Sequence, residues 1–248
     1  MPELPDITIY VEALESRLKD QVIEEVRLAS PFLLRSVEPP LDEAIGKKVR
    51  SVRRLGKRIL LGLEGDLWLV FHLMIAGRFH WKDKGAKLAG RHALAAFDFA
   101  HGSLTLTEFG PKKRASLHVV QGEEGLSEHD PGGIEVLETS LETFAEALVR
   151  ENHTLKRSLT DPHLFSGIGN AYSDEILHRA RLSPKAMSAK LDTEEVERLY
   201  ESTRSTLNEW LERLRAEIGD GFPEAVKANR NGMAVHGRFN EPCPDCGT

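Results

Sequence analysis

Between Val22 and Val120 apolar residues recur with a period of two, in short runs. Between Leu141 and Leu214 they recur with a period of 3.6. One such switch constrains the chain to a sheet-forming half followed by a helical half, an α+β arrangement. Strands are predicted at Val22–Leu28, Lys47–Leu55, Arg58–Leu63, Leu67–Leu73, Ala93–Phe99, Ser103–Thr107 and Ser116–Val120. Glu64-Gly65-Asp66 and His101-Gly102 are tight-turn signals between them. Seven short strands at hairpin spacing predict a two-layer β-sandwich. Ahead of it Asp6 reads as a helix N-cap, with Ile7, Tyr10, Val11, Leu14 and Leu18 as an apolar stripe. That predicts a first helix packed at an end of the sandwich.

Residues 122–133, GEEGLSEHDPGG, are polar and glycine-rich and read as a linker. Helices are predicted over Leu141–Arg150, Leu155–Leu159 and Asn170–Arg181. Asp192 and Glu195 form a capping box for a long helix whose core stripe runs Val196, Leu199, Tyr200, Thr203, Leu207, Trp210, Leu211 and Leu214. Beyond Gly219 and Gly221 come a short loop and Met233–Phe239, leading to Cys243. The expected organisation is a sandwich domain over 1–121, a linker over 122–133, a helical domain over 134–218, and a loop with a terminal ribbon over 219–248.

At 248 residues the chain is long enough for a sizeable core. No apolar run is long enough to span a membrane and no signal-peptide pattern opens the chain, so a cytoplasmic location is expected. The two cysteines form one CxxC, which argues against a disulfide framework. A net charge of −6 counts against nucleic-acid binding as a bulk number, but distribution matters more. Residues 47–58, KKVRSVRRLGKR, hold seven basic residues in twelve. Lys112-Lys113-Arg114 form a second cluster, and Lys227, Arg230 and Arg238 a third. Each is also what a solvated edge strand carries.

The opening Met1-Pro2-Glu3-Leu4-Pro5-Asp6 carries the sharpest chemistry. Removal of Met1 leaves Pro2 with a secondary α-amine in a rigid ring. An α-amine titrates near pH ~7.7–8.0, so a nucleophilic fraction exists without special activation. Its attack on a sugar aldehyde carbon gives an iminium ion, an electron sink like that of a Schiff-base lysine. Glu3 places a carboxyl beside the same centre for proton transfer. Lys57 sits in a turn between two strands, which projects an ammonium toward a phosphate. In Gly167-Ile168-Gly169-Asn170 the glycines permit close approach. The helix beginning near Asn170 presents free N–H groups to an anion. Cys243 and Cys246 are half of a tetrahedral zinc site, which needs four ligands. His236 is a third ligand by type only.

MPELPD, Gly56-Lys57-Arg58, the run Gly167 to Tyr172, and Glu241 to Gly247 stand in an order that resembles the formamidopyrimidine-DNA glycosylase and endonuclease VIII family over nearly the whole chain. The resemblance implies a sandwich with an N-terminal helix, a helix–two-turn–helix domain and a zinc ribbon. It implies base excision from damaged DNA followed by cleavage of the abasic site, by a monomer. Pro2 is then the nucleophile, Glu3 the proton shuttle and Lys57 the essential hairpin lysine. His92, Lys156 and Asn170 take phosphate-contacting positions, and Lys112 and Lys113 lie in the DNA-facing loop.

Departures are also visible. Position 6 is Asp where Glu is usual. In His72-Leu73-Met74-Ile75-Ala76-Gly77 the gap-filling methionine becomes Ile75, or is replaced by Met74. Glu108 to Arg114 replaces the usual loop, with Phe109 as a further wedge candidate. A short segment before Met233 favours oxidised pyrimidines and formamidopyrimidines as substrates. Family members carry a second CxxC strand with a DNA-binding arginine. This sequence stops before one. If the protein ends here, zinc binding is expected to be weak and elimination to end mainly at the β step. If the natural chain continues into a second CxxC, one bound zinc and both β- and δ-elimination are expected.

Two other readings compete. A tautomerase would use Pro2 as a base but leaves the helical half unexplained. A non-catalytic nucleic-acid-binding protein would use the helix–two-turn–helix element but leaves the terminus and Lys57 unused.

Overall fold

The computed structural model describes residues 1–110, 112–224 and 231–247. The chain forms two compact units. One contains residues 1–2, 6–130 and a return segment from Arg215; the other contains residues 3–5, 131–214 and the C-terminal stretch.

The first unit carries eight strands: β1 Glu25–Leu28, β2 Val49–Leu55, β3 Arg58–Leu63, β4 Leu67–His72, β5 Gly77–Lys82, β6 Ala93–Phe99, β7 Gly102–Glu108 and β8 Ser116–Gln121. They form two antiparallel four-stranded sheets, β1-β6-β7-β5 and β2-β3-β4-β8. Their facing side chains make one core, with Phe71 edge-on to both Phe79 (5.2 Å) and Phe97 (5.4 Å). Helix α1, Leu4–Leu18, adds its stripe to that core, with Ile7, Tyr10, Leu14 and Leu18 at most 1% exposed.

Three expectations are corrected here. Asp6 is not the N-cap, because α1 already begins at Leu4; it lies buried in the first turn, where the helix dipole favours an acid. β5 adds an eighth strand. Its alternation is plain, with Gly77 and Phe79 buried between the less buried Arg78 and His80. The strand starts at a glycine because a Cβ on Gly77 would lie 2.3 Å from the Leu73 carbonyl oxygen, to which the Gly77 N–H donates. Third, 122–133 is not a plain linker: Gly122–Ser127 is helix α2. Its Leu126 joins Leu60, Trp68 and Val70 in a small cluster on the outer face of the second sheet. That second buried face explains why β3 and β4 read as continuous apolar runs.

The second unit holds α3 Leu141–Val149, α4 Leu155–Thr160, α5 Asn170–Ala180 and the 26-residue α6 Thr193–Ile218, whose last turn belongs to the first unit. The capping box at the start of α6 is formed: the Glu195 N–H donates to Asp192 Oδ1 (2.8 Å) and the Asp192 N–H to Glu195 Oε2 (3.2 Å). Met233–Phe239, expected to belong to the terminal ribbon, consists of turns and bends.

Two histidines on adjacent strands of the second sheet are held neutral. Burial, with Arg58, Lys57 and His118 nearby, pushes His72 down to about 4. Burial, with His129 and Arg58, does the same to His118, whose ring lies 4.6 Å from that of His129. An unfolded chain takes up these protons near pH ~6.5, the folded one only near 4, so the unfolded state binds more protons between the two values. Stability is therefore expected to fall as pH drops from 6.5 to about 4. His118→Gln should flatten that dependence in melting curves taken at intervals through the window. A curve parallel to that of the parent would mean the imidazole is solvated.

Candidate functional site

In the second unit, residues 3–5 meet the turn that opens α5. Glu3, 3% exposed, accepts from the N–H groups of Gly169 (2.7 Å), Ala171 (2.9 Å) and Tyr172 (3.2 Å), and the Leu4 N–H donates to the Gly167 carbonyl (2.9 Å). These include N–H groups that the sequence reading offered to a DNA phosphate; a carboxylate of the chain itself takes them. The exposed Asn170 side chain stands at the same N-terminus. Pro2, next to Glu3, is buried in the first unit. Its nitrogen is an amide while Met1 is attached, and becomes an amine only after Met1 is removed.

Lys156, on α4, donates to the Asn170 carbonyl (2.7 Å) and to Asp174 Oδ1 (2.5 Å). An ammonium has three N–H donors, so one remains for a third acceptor. The other oxygen of Asp174 meets His236 Nδ1 at 2.8 Å. Glu175, 7% exposed, accepts from the backbone N–H groups of Ala234 (2.7 Å), Val235 (2.9 Å) and His236 (2.9 Å). Two consecutive acids of α5 thus hold the 234–236 segment, a role the sequence reading did not assign. Its only signal was an Asp-Glu pair on a helix face that is otherwise buried.

In the first unit, Lys57 occupies the turn between β2 and β3, after Gly56 in left-handed conformation (φ 58°). Arg58 pairs in register with His72, which also feels Lys57. Lys57 and Arg58 therefore form an electropositive end of the sheet beside the neutral His72, which was not singled out from sequence. Much of the remaining basic run is engaged elsewhere: Arg50 with Asp20 and Glu64, and Arg53 with Glu123 while stacked over Trp68 at 4.2 Å. Ile75 protrudes from the turn between β4 and β5, 60% exposed, while Met74 is half-buried.

The loop after β7 is closed by Glu108, 1% exposed, whose carboxylate accepts from the N–H groups of Arg114 (3.0 Å) and Ala115 (3.2 Å). Phe109, 63% exposed, stacks on the His92 ring at 4.6 Å, and His92 Nδ1 meets the Glu108 carbonyl at 3.1 Å. Lys113 also donates to that carbonyl, and Lys112 is exposed. Of the third basic cluster, Lys227 and Arg230 lie outside the described residues, and Arg238 pairs with Glu241.

Cys243 Sγ lies 3.5 Å from His178 Nε2, and His178 is also 3.5 Å from Asp245. Among the described residues no group of three or more His, Cys, Asp or Glu side chains is arranged to hold a metal ion. His236, the third zinc ligand by type, is turned to Asp174 instead. The zinc that the resemblance implies needs four ligands, and the described residues do not fit it. Nor, among the described residues, is any helix long and apolar enough to cross a membrane.

Comparison with known proteins accounts for this arrangement. Residues 1–115 match the Formamidopyrimidine-DNA glycosylase N-terminal domain and residues 133–220 the Formamidopyrimidine-DNA glycosylase H2TH domain. The chain is 33% identical over 261 residues to the formamidopyrimidine-DNA glycosylase of Heliobacterium modesticaldum, covering 100% of itself and 92% of that protein. It is 30% identical over 257 residues to the same-named protein of Pelotomaculum thermopropionicum, with the same coverage. A structure of MutM in complex with carbocyclic 8-oxo-G containing DNA superposes with a TM-score of 0.87 at 23% identity, over 100% of this chain and 92% of that one, which establishes the shared fold. The class so defined is the bifunctional DNA glycosylase/AP lyase. The chain belongs to the formamidopyrimidine-DNA glycosylase family.

The Glu175 bonds make a prediction. Charge-assisted bonds contribute about 1.5–3 kcal/mol each, and leaving N–H groups unpaired costs more than the bonds add. Glu175→Gln should speed hydrogen exchange at Ala234, Val235 and His236 by about tenfold or more, with little change elsewhere in α5. Unaltered exchange at these amides would show that the carboxylate does not hold the segment.

Proposed function

We propose that the chain excises formamidopyrimidines and oxidised pyrimidines from DNA and then cleaves the resulting abasic site. The Pro2 amine, freed of Met1, attacks C1′ of the damaged nucleoside, and Glu3 moves the proton that accompanies base loss and ring opening. The iminium that results acidifies the C2′ proton, and its removal expels the 3′ phosphate by β-elimination. Lys57 and His92 in one unit, and Lys156 and Asn170 in the other, contact the DNA backbone, together with Lys112 and Lys113. Ile75 enters the gap left by the everted base.

The observation that carries this reading is the fixing of Glu3. Its carboxylate, one residue from the nucleophile, is held by three backbone N–H groups. A proton-transfer group held in this way is preorganised for its reaction. The third N–H of Lys156, left over from Asp174 and Asn170, supports a phosphate contact beside the Asn170 side chain. The substrate preference rests on the shortness of the segment between Ile218 and Met233, of which 225–230 lie outside the described residues.

Borohydride trapping on abasic-site DNA tests the nucleophile. The processed protein should become covalently linked, and Pro2→Gly or a retained Met1 should abolish linkage. Full trapping by an N-terminally blocked protein would move the amine to an internal lysine. Glu3→Gln should lower base excision by roughly 10²–10⁴-fold, the range of general acid–base catalysis, while nicking at a preformed abasic site survives better. Equal loss of both activities would reduce Glu3 to a structural part.

Lys57→Ala should weaken DNA binding about equally across sequences and reduce the slope of log affinity against log salt by about one unit. An unchanged slope would remove Lys57 from the phosphate contacts.

A further inference from the structure

The second unit contains a cavity of about 580 Å³ that none of the proposed DNA-contacting residues lines. It lies between α5, α6 and the segment around Gly232 to Ala234. Thr206 lines it from α6; that residue is 3% exposed, and its hydroxyl has no hydrogen-bond partner among the described residues. A buried hydroxyl without a partner is unfavourable, so one that lines a cavity is a position that a ligand oxygen can satisfy.

The rest of the lining fixes the ligand's charge. Three acids line the cavity, and each has a partner: Glu175 holds the backbone N–H groups of 234–236, Glu209 pairs with Arg179, and Asp245 lies 3.5 Å from His178. Arg181 and Arg213 also line it, and neither forms an ion pair among the described residues. Arg213 is held in place, with its guanidinium 4.7 Å from the Trp210 ring centroid. On its other side is Gly232, where a Cβ would come within 2.6 Å of Nη1; that glycine also has φ 92°. A guanidinium fixed between an indole and a glycine backbone loses little freedom when it binds an oxyanion, and its planar fork matches phosphate.

We propose that this cavity binds a small phosphate-bearing molecule of nucleoside monophosphate size. Arg181 and Arg213 take the phosphate, and Thr206 and the Trp210 edge contact the body. The volume sets the size: it falls in the range of ordinary ligand pockets and far exceeds what a lone phosphate requires.

The test titrates the protein with deoxyadenosine monophosphate and with pyrophosphate, read by calorimetry and by quenching of tryptophan fluorescence. The monophosphate should bind one per chain. Arg213→Ala should weaken it by about tenfold or more, as loss of a charge-assisted contact does, and Thr206→Val severalfold. Thr206→Val removes only an unpartnered hydroxyl, so its melting temperature should be no lower than that of the parent, which isolates binding from folding. If Arg213→Ala does not fold, Arg181→Gln replaces it. Saturating duplex carrying an abasic-site analogue should leave monophosphate binding in place. Absence of saturable monophosphate binding, affinity unchanged in the arginine variant and in Thr206→Val, tighter binding of pyrophosphate than of the monophosphate, or displacement by the duplex would each overturn the proposal.

Discussion

The carboxylate of Glu3 is the interaction on which the proposed chemistry depends. It sits one residue from Pro2, whose nitrogen becomes a secondary amine once Met1 is removed, and it takes N–H groups from both sides of Asn170 at the start of α5. Helix N-termini attract anions from outside. Here the anion is internal, and what stays available to a proposed DNA contact is the exposed Asn170 side chain and the remaining donor of Lys156. The turn Gly167 to Asn170 therefore does two things: it holds Glu3 and Leu4 beside the residue proposed to react, and it presents the side chain proposed to grip DNA.

The same device recurs. Glu108 gathers the N–H groups of Arg114 and Ala115, and Glu175 those of Ala234, Val235 and His236. In each case a buried carboxylate satisfies consecutive N–H groups of an irregular segment that has no ladder to pair with. The net charge of −6 thus gives little guide to the face proposed to meet DNA. Several acids point inward at backbone, and others neutralise arginines such as Arg27 and Arg50.

The legible parts of the fold were those with a strong period or a local signature. The stripe of α1, the capping box of α6 and the hairpin turn bearing Lys57 could be placed to within a few residues. β5 was missed because its opening Gly77 reads as part of a turn, and α2 because one leucine among glycines and acids gives no helical stripe. Its reason for folding is the outer face of the sheet, a partner far away in sequence. The site divides in the same way. Pro2, Glu3 and Lys57 announce themselves by type and position. Glu108 and Glu175 act on backbone N–H groups, which every residue but proline has, so no partner side chain marks them. Asp174 joins Lys156 to His236 across 62 residues on one side and 18 on the other, separations at which no pattern survives.

Ile75, the gap-filling residue proposed above, differs in kind from the methionine that the family resemblance implies there. A thioether chain has three rotatable bonds and moulds itself to an irregular gap. Isoleucine is branched at Cβ and stiff at χ1. It stands on a short turn whose carbonyl is tied back by Arg78 and whose exit is pinned by the Gly77 N–H to Leu73. Such a probe loses less entropy on insertion than a thioether does, but it adapts less to what it meets. In its proposed role it would feel the stiffness of the base step it enters, so the search along DNA would be graded by local deformability as well as by damage.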